Sequence, residues 1–227
     1  MTTQRQIEKL VKPLRERHAN LAPMRNWIVL RPIDHVLCGI RFGRTWSANR
    51  LRPYWSVTHF CEPLDYIPNS WGGIIFPRDH DGWLWDDPHM PQRLTDQIEN
   101  IFLPKLRALQ DFRQYMEYVS SAENFESNNL TLFPFRNAAA QAAFGNFAAA
   151  REICERHLPR EPFYEGHDDK PAFDRIIKQL YPLLRADDEA GVAELLRNWE
   201  GQMMRNLGIE DIWTPTPFPF ERRTSVA

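Results

Sequence analysis

Hydrophobic positions at the start of the chain recur at helical spacing. Ile7, Leu10, Val11 and Leu14 fall on one face, and Thr3 with Gln6 three residues later forms a capping-box pattern that predicts the helix start. Pro13 lies inside this pattern, so the helix is expected to kink there or to stop early. From about Arg25 to Trp85 the period changes to two. Trp27–Leu30 is a short apolar run; Val36, Cys38, Ile40 and Phe42 alternate with Leu37, Gly39 and Arg41; Trp55, Val57, His59 and Cys61 alternate with Ser56, Thr58 and Phe60. Such runs between turn-rich pieces predict an antiparallel sheet of four or five strands. Ile74–Phe76 and Trp83–Trp85 flank Asp81-Gly82, which predicts that these two runs pair as a hairpin.

After Pro91 the helical period returns. Leu94, Ile98, Ile101, Phe102 and Leu106 share a face interrupted by Pro104, and Phe112, Tyr115, Met116 and Val119 continue it. The polar stretch Ser120–Asn129 reads as a linker. Ala-rich helices follow near 136–158, then helices near 171–185 and 187–206, and an extended Pro/aromatic tail from Trp213 to Phe220 whose rings are expected to pack back. Strands first and helices afterwards make the fold α+β: an N-terminal helix, an antiparallel sheet and a helical C-terminal half. The expected organisation is 1–120 for helix, sheet and covering helix and 130–227 for the helices and tail, able to pack as a single domain.

Composition adds little to this pattern but excludes several classes. With 43% hydrophobic and 26% charged residues and eight Trp among 227 residues, the chain is an ordinary globular one that needs no metal or disulfide for its core. The net charge of −2 and pI near 6.4 disfavour nucleic acid as a partner. Cys38, Cys61 and Cys154 form no CxxC pair, and an odd count of thiols points to a reducing, cytoplasmic setting. The start MTTQRQIEKL lacks a signal-peptide apolar region, and no run nears the roughly 18 apolar residues of a membrane span.

Gly145, Phe147, Ala150 and Pro162 stand at the positions of an inter-helix turn, a second helix and a terminal proline. With them the segment 138–162 resembles half of a tetratricopeptide repeat, although Pro134, Asn137 and Gln141 depart from its first-helix pattern. The resemblance implies peptide or protein recognition in a helical groove. The element order of the strand-rich part is broadly similar to that of small bacterial α+β proteins, some of which neutralise toxins.

Two stretches carry candidate chemistry. Arg41, Arg44, Arg50 and Arg52 surround Trp46, Tyr54 and Trp55, and no acid lies between Asp34 and Glu62. Arginine forks beside aromatic faces suit carboxylates, phosphates or nucleobases. The second stretch, Arg78 to His89, holds Asp79, His80, Asp81, Asp86 and Asp87 together with Trp83 and Trp85. A calcium loop is excluded there, because Pro77 and Pro88 would occupy its first and twelfth positions. A metal site would need His59, His35 or His89 as further ligands, and without them the acids are turn residues. The two stretches, opposite in sign, could also pair with one another.

Catalytic and cofactor motifs are missing: Gly-x-Ser-x-Gly, His-Glu-x-x-His and the glycine-rich phosphate loops do not occur. His59 and Cys61 would share a strand face about 7 Å apart, too far for a catalytic pair. Cys154 and His157 at helical spacing lack a second ligand pair. The expected function is therefore a non-catalytic binding protein of immunity or adaptor type with a protein partner and no cofactor. Its binding residues are Arg41, Arg44, Trp46, Arg50, Arg52, Trp55, Asp79, Asp81, Trp83 and Trp85. The alternative is a metal-dependent hydrolase using Asp79, His80 and Asp81.

Overall fold

In the computed structural model, residues 2–62, 64, 66–67, 71–77, 82–121, 134–166 and 170–224 are described. Contacts divide the chain into two units: Met1–Thr58, Pro68–Asp111 and Asp211–Thr214 in the first, and His59–Ile67, Phe112–Glu210 and Pro215–Ala227 in the second. The expected linker 120–129 lies almost wholly outside the described residues.

The first unit opens with helix α1 (Gln4–Arg17). The Thr3 hydroxyl accepts from the Gln6 N–H at 3.2 Å and the Gln6 side chain accepts from the Thr3 N–H at 2.8 Å, so two otherwise orphaned donors are satisfied. The helix runs through Pro13 to Arg17. That proline and Lys9 lie on the exposed face, where water can reach the carbonyl left without its helical donor. Ile7, Leu10, Val11 and Leu14 are buried, as their spacing predicts.

Among the described residues the sheet has six strands: β1 (Leu21–Met24), β2 (Trp27–Leu30), β3 (Val36–Arg44), β4 (Arg50–His59), β5 (Trp71–Ile74) and β6 (Trp83–Leu84). Its order is β1-β2-β3-β4-β5, with β6 also on β4. Strand β1 escapes the period-two reading because it holds Pro23. A proline is admissible there because β1 is the sheet edge. Met24 faces Trp27 across a two-residue turn, Arg25–Asn26, and Trp27 in turn faces Arg41. Val36, Cys38, Ile40 and Phe42 are all buried on β3.

The hairpin expected at Asp81-Gly82 is not seen among the described residues. Tyr54–Val57 pairs with β5 and Arg50–Leu51 with β6, so the two short strands lie one after the other along β4. Ten residues of β4 are long enough to hold both. Strand β4 also stops at His59, two residues short of the predicted alternation to Cys61.

Helices α2 (Met90–Gln97) and α3 (Leu103–Ala108) are joined by a π-helical turn, Ile98–Phe102. There the Leu103 N–H reaches the Ile98 carbonyl, one residue further back than in an α-helix, just before Pro104. The wider turn suits a chain about to lose a donor, and Leu106 beyond it stays buried as its spacing predicts. Ile101, inside this turn and expected on the buried face, is 37% exposed.

The second unit contains α4 (Phe112–Ser120), α5 (Pro134–Phe144), α6 (Phe147–His157), α7 (Glu161–Tyr164), α8 (Lys170–Asp174), α9 (Tyr181–Arg185), α10 (Glu189–Leu207) and α11 (Glu221–Thr224). Ala138, Ala139, Ala140, Ala142 and Ala143 are fully buried on α5, small enough for α6 to pack closely on it. A second π-helical turn, Arg175–Leu180, precedes Pro182 in the same way as the first precedes Pro104. Asp188 caps α10, accepting from the Gly191 N–H at 2.9 Å, and left-handed Gly208 ends that helix. The tail packs back as its composition suggests: Phe218 and Phe220 are buried, with Phe220 edge-on to Phe147 at 5.0 Å. Among the described residues no helix is long and apolar enough to cross a membrane.

Candidate functional site: an arginine cavity on the sheet

The β1–β2 turn and the middle of β3 and β4 create the most distinctive surface of the first unit. Along β4, Arg50, Arg52 and Tyr54 alternate with Leu51, Pro53 and Trp55, so the arginines and the tyrosine share one face. Gly43 on β3 belongs to that face. A Cβ there would lie 2.9 Å from the Arg52 carbonyl oxygen and 3.0 Å from the Tyr54 ring. The missing side chain leaves room for the ring.

Arg41 lies against the Tyr54 ring. Its guanidinium lies 5.0 Å from the Tyr54 ring centroid and 6.0 Å from that of Trp27. Its Nε is buried without an acceptor, and no carboxylate pairs with Arg41 among the described residues. Gln4, Arg25, Asn26, Arg41, Gly43 and Tyr54 line an open cavity of about 480 Å³. Arg25 holds a left-handed backbone, φ 53°. Two side-chain amides fix its turn: Gln4 Nε2 donates to the Arg25 carbonyl at 2.6 Å, and Asn26 Nδ2 donates to the Phe42 carbonyl at 3.1 Å. The walls are therefore set by hydrogen bonds, and no carboxylate lines the cavity among the described residues.

The residues expected to bind divide here. Arg41 lines the cavity, Arg52 is exposed on the same face, and Trp46 is 94% exposed on the β3–β4 loop. Arg50 lies alongside Gly82. Trp55 points to the opposite face, where it stacks with Phe102 at 6.3 Å and carries the Lys105 ammonium 4.0 Å above its ring. Trp83 is buried, its Nε1 donating to the Ile75 carbonyl at 2.7 Å, and Trp85 Nε1 donates to Thr2 Oγ1 at 3.0 Å. Both indoles act in packing. Asp79, His80, Asp81 and the side chain of Arg44 lie outside the described residues.

Gln4, Arg25 and Asn26 were not legible as site residues in sequence. The available signal was a two-residue turn between apolar runs, Met24-Arg25-Asn26-Trp27, with a cation in it. It is obscured by the proline in β1.

Past Gly82 the acidic stretch reaches the start of helix α2. Asp87 Oδ1 accepts from the His89 N–H at 2.8 Å and Oδ2 contacts Arg93, so this acid is held just ahead of a helix start that has no side-chain cap of its own. Among the described residues no three His, Cys, Asp or Glu side chains are gathered for a metal ion. His59 belongs to a buried cluster of the second unit. Its Nδ1 accepts from the Cys61 N–H at 3.3 Å, its Nε2 is 3.5 Å from Arg136 Nη2, and Arg136 Nη1 is 3.5 Å from Glu62 Oε1. Burial first and the Arg136 charge second push His59 well below the ordinary imidazole value. Burial raises the Glu62 carboxyl, with Arg136 and Arg175 opposing. The thiols are inert for the same reason: burial pushes Cys38 and Cys61 up, and Cys154 to about 12.

Comparison with known proteins finds no matching family model, no matching curated protein and no matching solved structure.

Proposed function

We propose that this chain is a non-catalytic binding protein that docks an acidic protein partner on the arginine–aromatic face of its sheet. The observation that carries the proposal is Arg41, set between two aromatic rings beside a cavity and lacking a carboxylate of its own among the described residues. A guanidinium held in this way is pre-organised for a planar anion, since little rotamer freedom remains to be lost on binding. Exposed Trp46 and Arg52 extend the surface beyond the cavity with residue types enriched in interface hot spots. The net charge of −2 argues against nucleic acid, whose binding is dominated by phosphate neutralisation.

An immunity or adaptor role in the cytoplasm fits such a protein, acting by occupancy rather than turnover. The resemblance of 138–162 to a tetratricopeptide half-repeat is compatible with it. No specific observation favours the metal-dependent hydrolase alternative.

The test is photo-crosslinking in native lysate with p-benzoylphenylalanine in place of Trp46. An adduct to an acidic protein that disappears when Arg41→Glu is added supports the function. An adduct indifferent to Arg41→Glu, or none, overturns it.

A further inference from the structure

We infer that the cavity beside Arg41 is a carboxylate receptor, taking the side chain of one Asp or Glu from an acidic peptide segment. The proposal rests on the acidic-partner function above and names the chemical group recognised.

Three independent features lead to it. The first is the lining: among the described residues the cavity is lined by Arg41 and Arg25 with Gln4, Asn26, Gly43 and Tyr54, the two amides being engaged with the Arg25 and Phe42 carbonyls. The second is an uncompensated desolvation. Arg41 has its Nε buried without an acceptor, and an incoming carboxylate would neutralise the guanidinium that the fold has partly withdrawn from water. The third is local backbone strain. Arg25 adopts φ 53°, a region that favours Gly, Asn or Asp, and the Gln4 hydrogen bond to its carbonyl keeps it there. A two-residue hairpin turn requires such a conformation at its first residue, and here it brings Arg25 into the lining of the cavity.

Size and setting select the occupant. A volume of about 480 Å³ exceeds a lone carboxylate and accommodates an acidic side chain with the backbone that bears it. Arg41 offers a planar fork rather than the cluster of backbone N–H groups that typically cradles phosphate. Exposed Arg52 on the same face provides for a further acid along the segment.

The experiment is a titration of ¹⁵N-labelled full-length protein, following the Arg41 Nε–Hε resonance. The probes are hexaglutamate, glutarate, hexaglutamine and inorganic phosphate at matched ionic strength. Hexaglutamate and glutarate should shift that resonance saturably, hexaglutamine should not, and phosphate should bind at least tenfold more weakly than glutarate. Arg41→Lys, which keeps the charge but loses the fork, should weaken hexaglutamate binding about tenfold. Arg25→Gly, which relaxes the turn, should also weaken it while the protein stays folded. Equal affinity of wild type and Arg41→Lys, phosphate binding as tight as glutarate, or shifts that never saturate would overturn the inference. If the peptide leaves Arg41 untouched yet the Trp46 crosslink survives and depends on Arg41, the receptor is wrong and the acidic-partner function stands. If both fail, the function falls with it.

Discussion

The Arg41 guanidinium and the Tyr54 ring lie 5.0 Å apart on neighbouring strands, next to a glycine that makes room for the ring. This contact holds a cation still without neutralising it. A cation–π contact at such a site is worth about 0.5–1 kcal/mol, so the pair orients the arginine more than it stabilises the sheet. Orientation of this kind is what a receptor for an anion requires.

Arg25 should be a site where stability and binding trade against each other. Its left-handed backbone suits glycine, so Arg25→Gly is expected to raise unfolding free energy by about 0.5–1 kcal/mol. Urea denaturation reads this directly. A clear loss of stability would mean that the Arg25 side chain, not the turn geometry, dominates at this position.

His59 should make the second unit sensitive to mild acid. Its folded-state value is depressed, so its contribution is present above the ordinary imidazole value of 6.5 and is lost as pH falls below it towards the folded value. Wild type should therefore lose stability below pH 6.5 more steeply than His59→Gln. The difference in slope should approach about 1.4 kcal/mol per pH unit, the linkage of one proton. The raised carboxyl of Glu62 acts in the opposite sense and is common to both proteins. Parallel curves from pH 7 to 5.5 would contradict the assignment.

Glu62 and Arg136 are a buried pair at 3.5 Å. Removing one partner of such a pair costs about 3–5 kcal/mol, because the other charge stays buried without its nearest counter-charge; Arg175 offsets part of this for Glu62. Arg136→Met should cost that much, and adding Glu62→Gln should recover part of it in a double-mutant cycle. Strict additivity of the two changes would show that they do not interact.

Gly145 joins α5 to α6 with φ 91°, and a Cβ there would lie 2.7 Å from the Cβ of Phe220. Gly145→Ala should therefore destabilise the second unit by about 1–3 kcal/mol and increase proteolysis of the tail after Pro215. Unchanged stability and cleavage would mean that the tail packs more loosely than its buried rings indicate.

The fold was largely legible because its elements carry strong periodicity. The α1 face, its capping box and the alternation along β3 follow from residue spacing alone. What escaped depends on tertiary context. Pro23 hides an edge strand, Asp81-Gly82 suggests a pairing that β4 pre-empts, and Ile101, inside the π-helical turn before Pro104, lies off the buried face. At the candidate site, charge density identified Arg41 and Arg52. Trp55, one residue beyond Tyr54, belongs to the other face, a consequence of strand parity that a local cluster of residues does not reveal. Arg25 and Asn26 became visible only through the register that sets Trp27 opposite Arg41.

The most direct test of the central claim compares wild type with Arg41→Glu in capture from native lysate, at low and raised salt, with both proteins confirmed folded by circular dichroism. The account predicts that wild type retains an acidic protein in stoichiometric amount, less of it as salt rises, and that Arg41→Glu loses it. Equal retention by both proteins, or no retained partner at low salt, would contradict it.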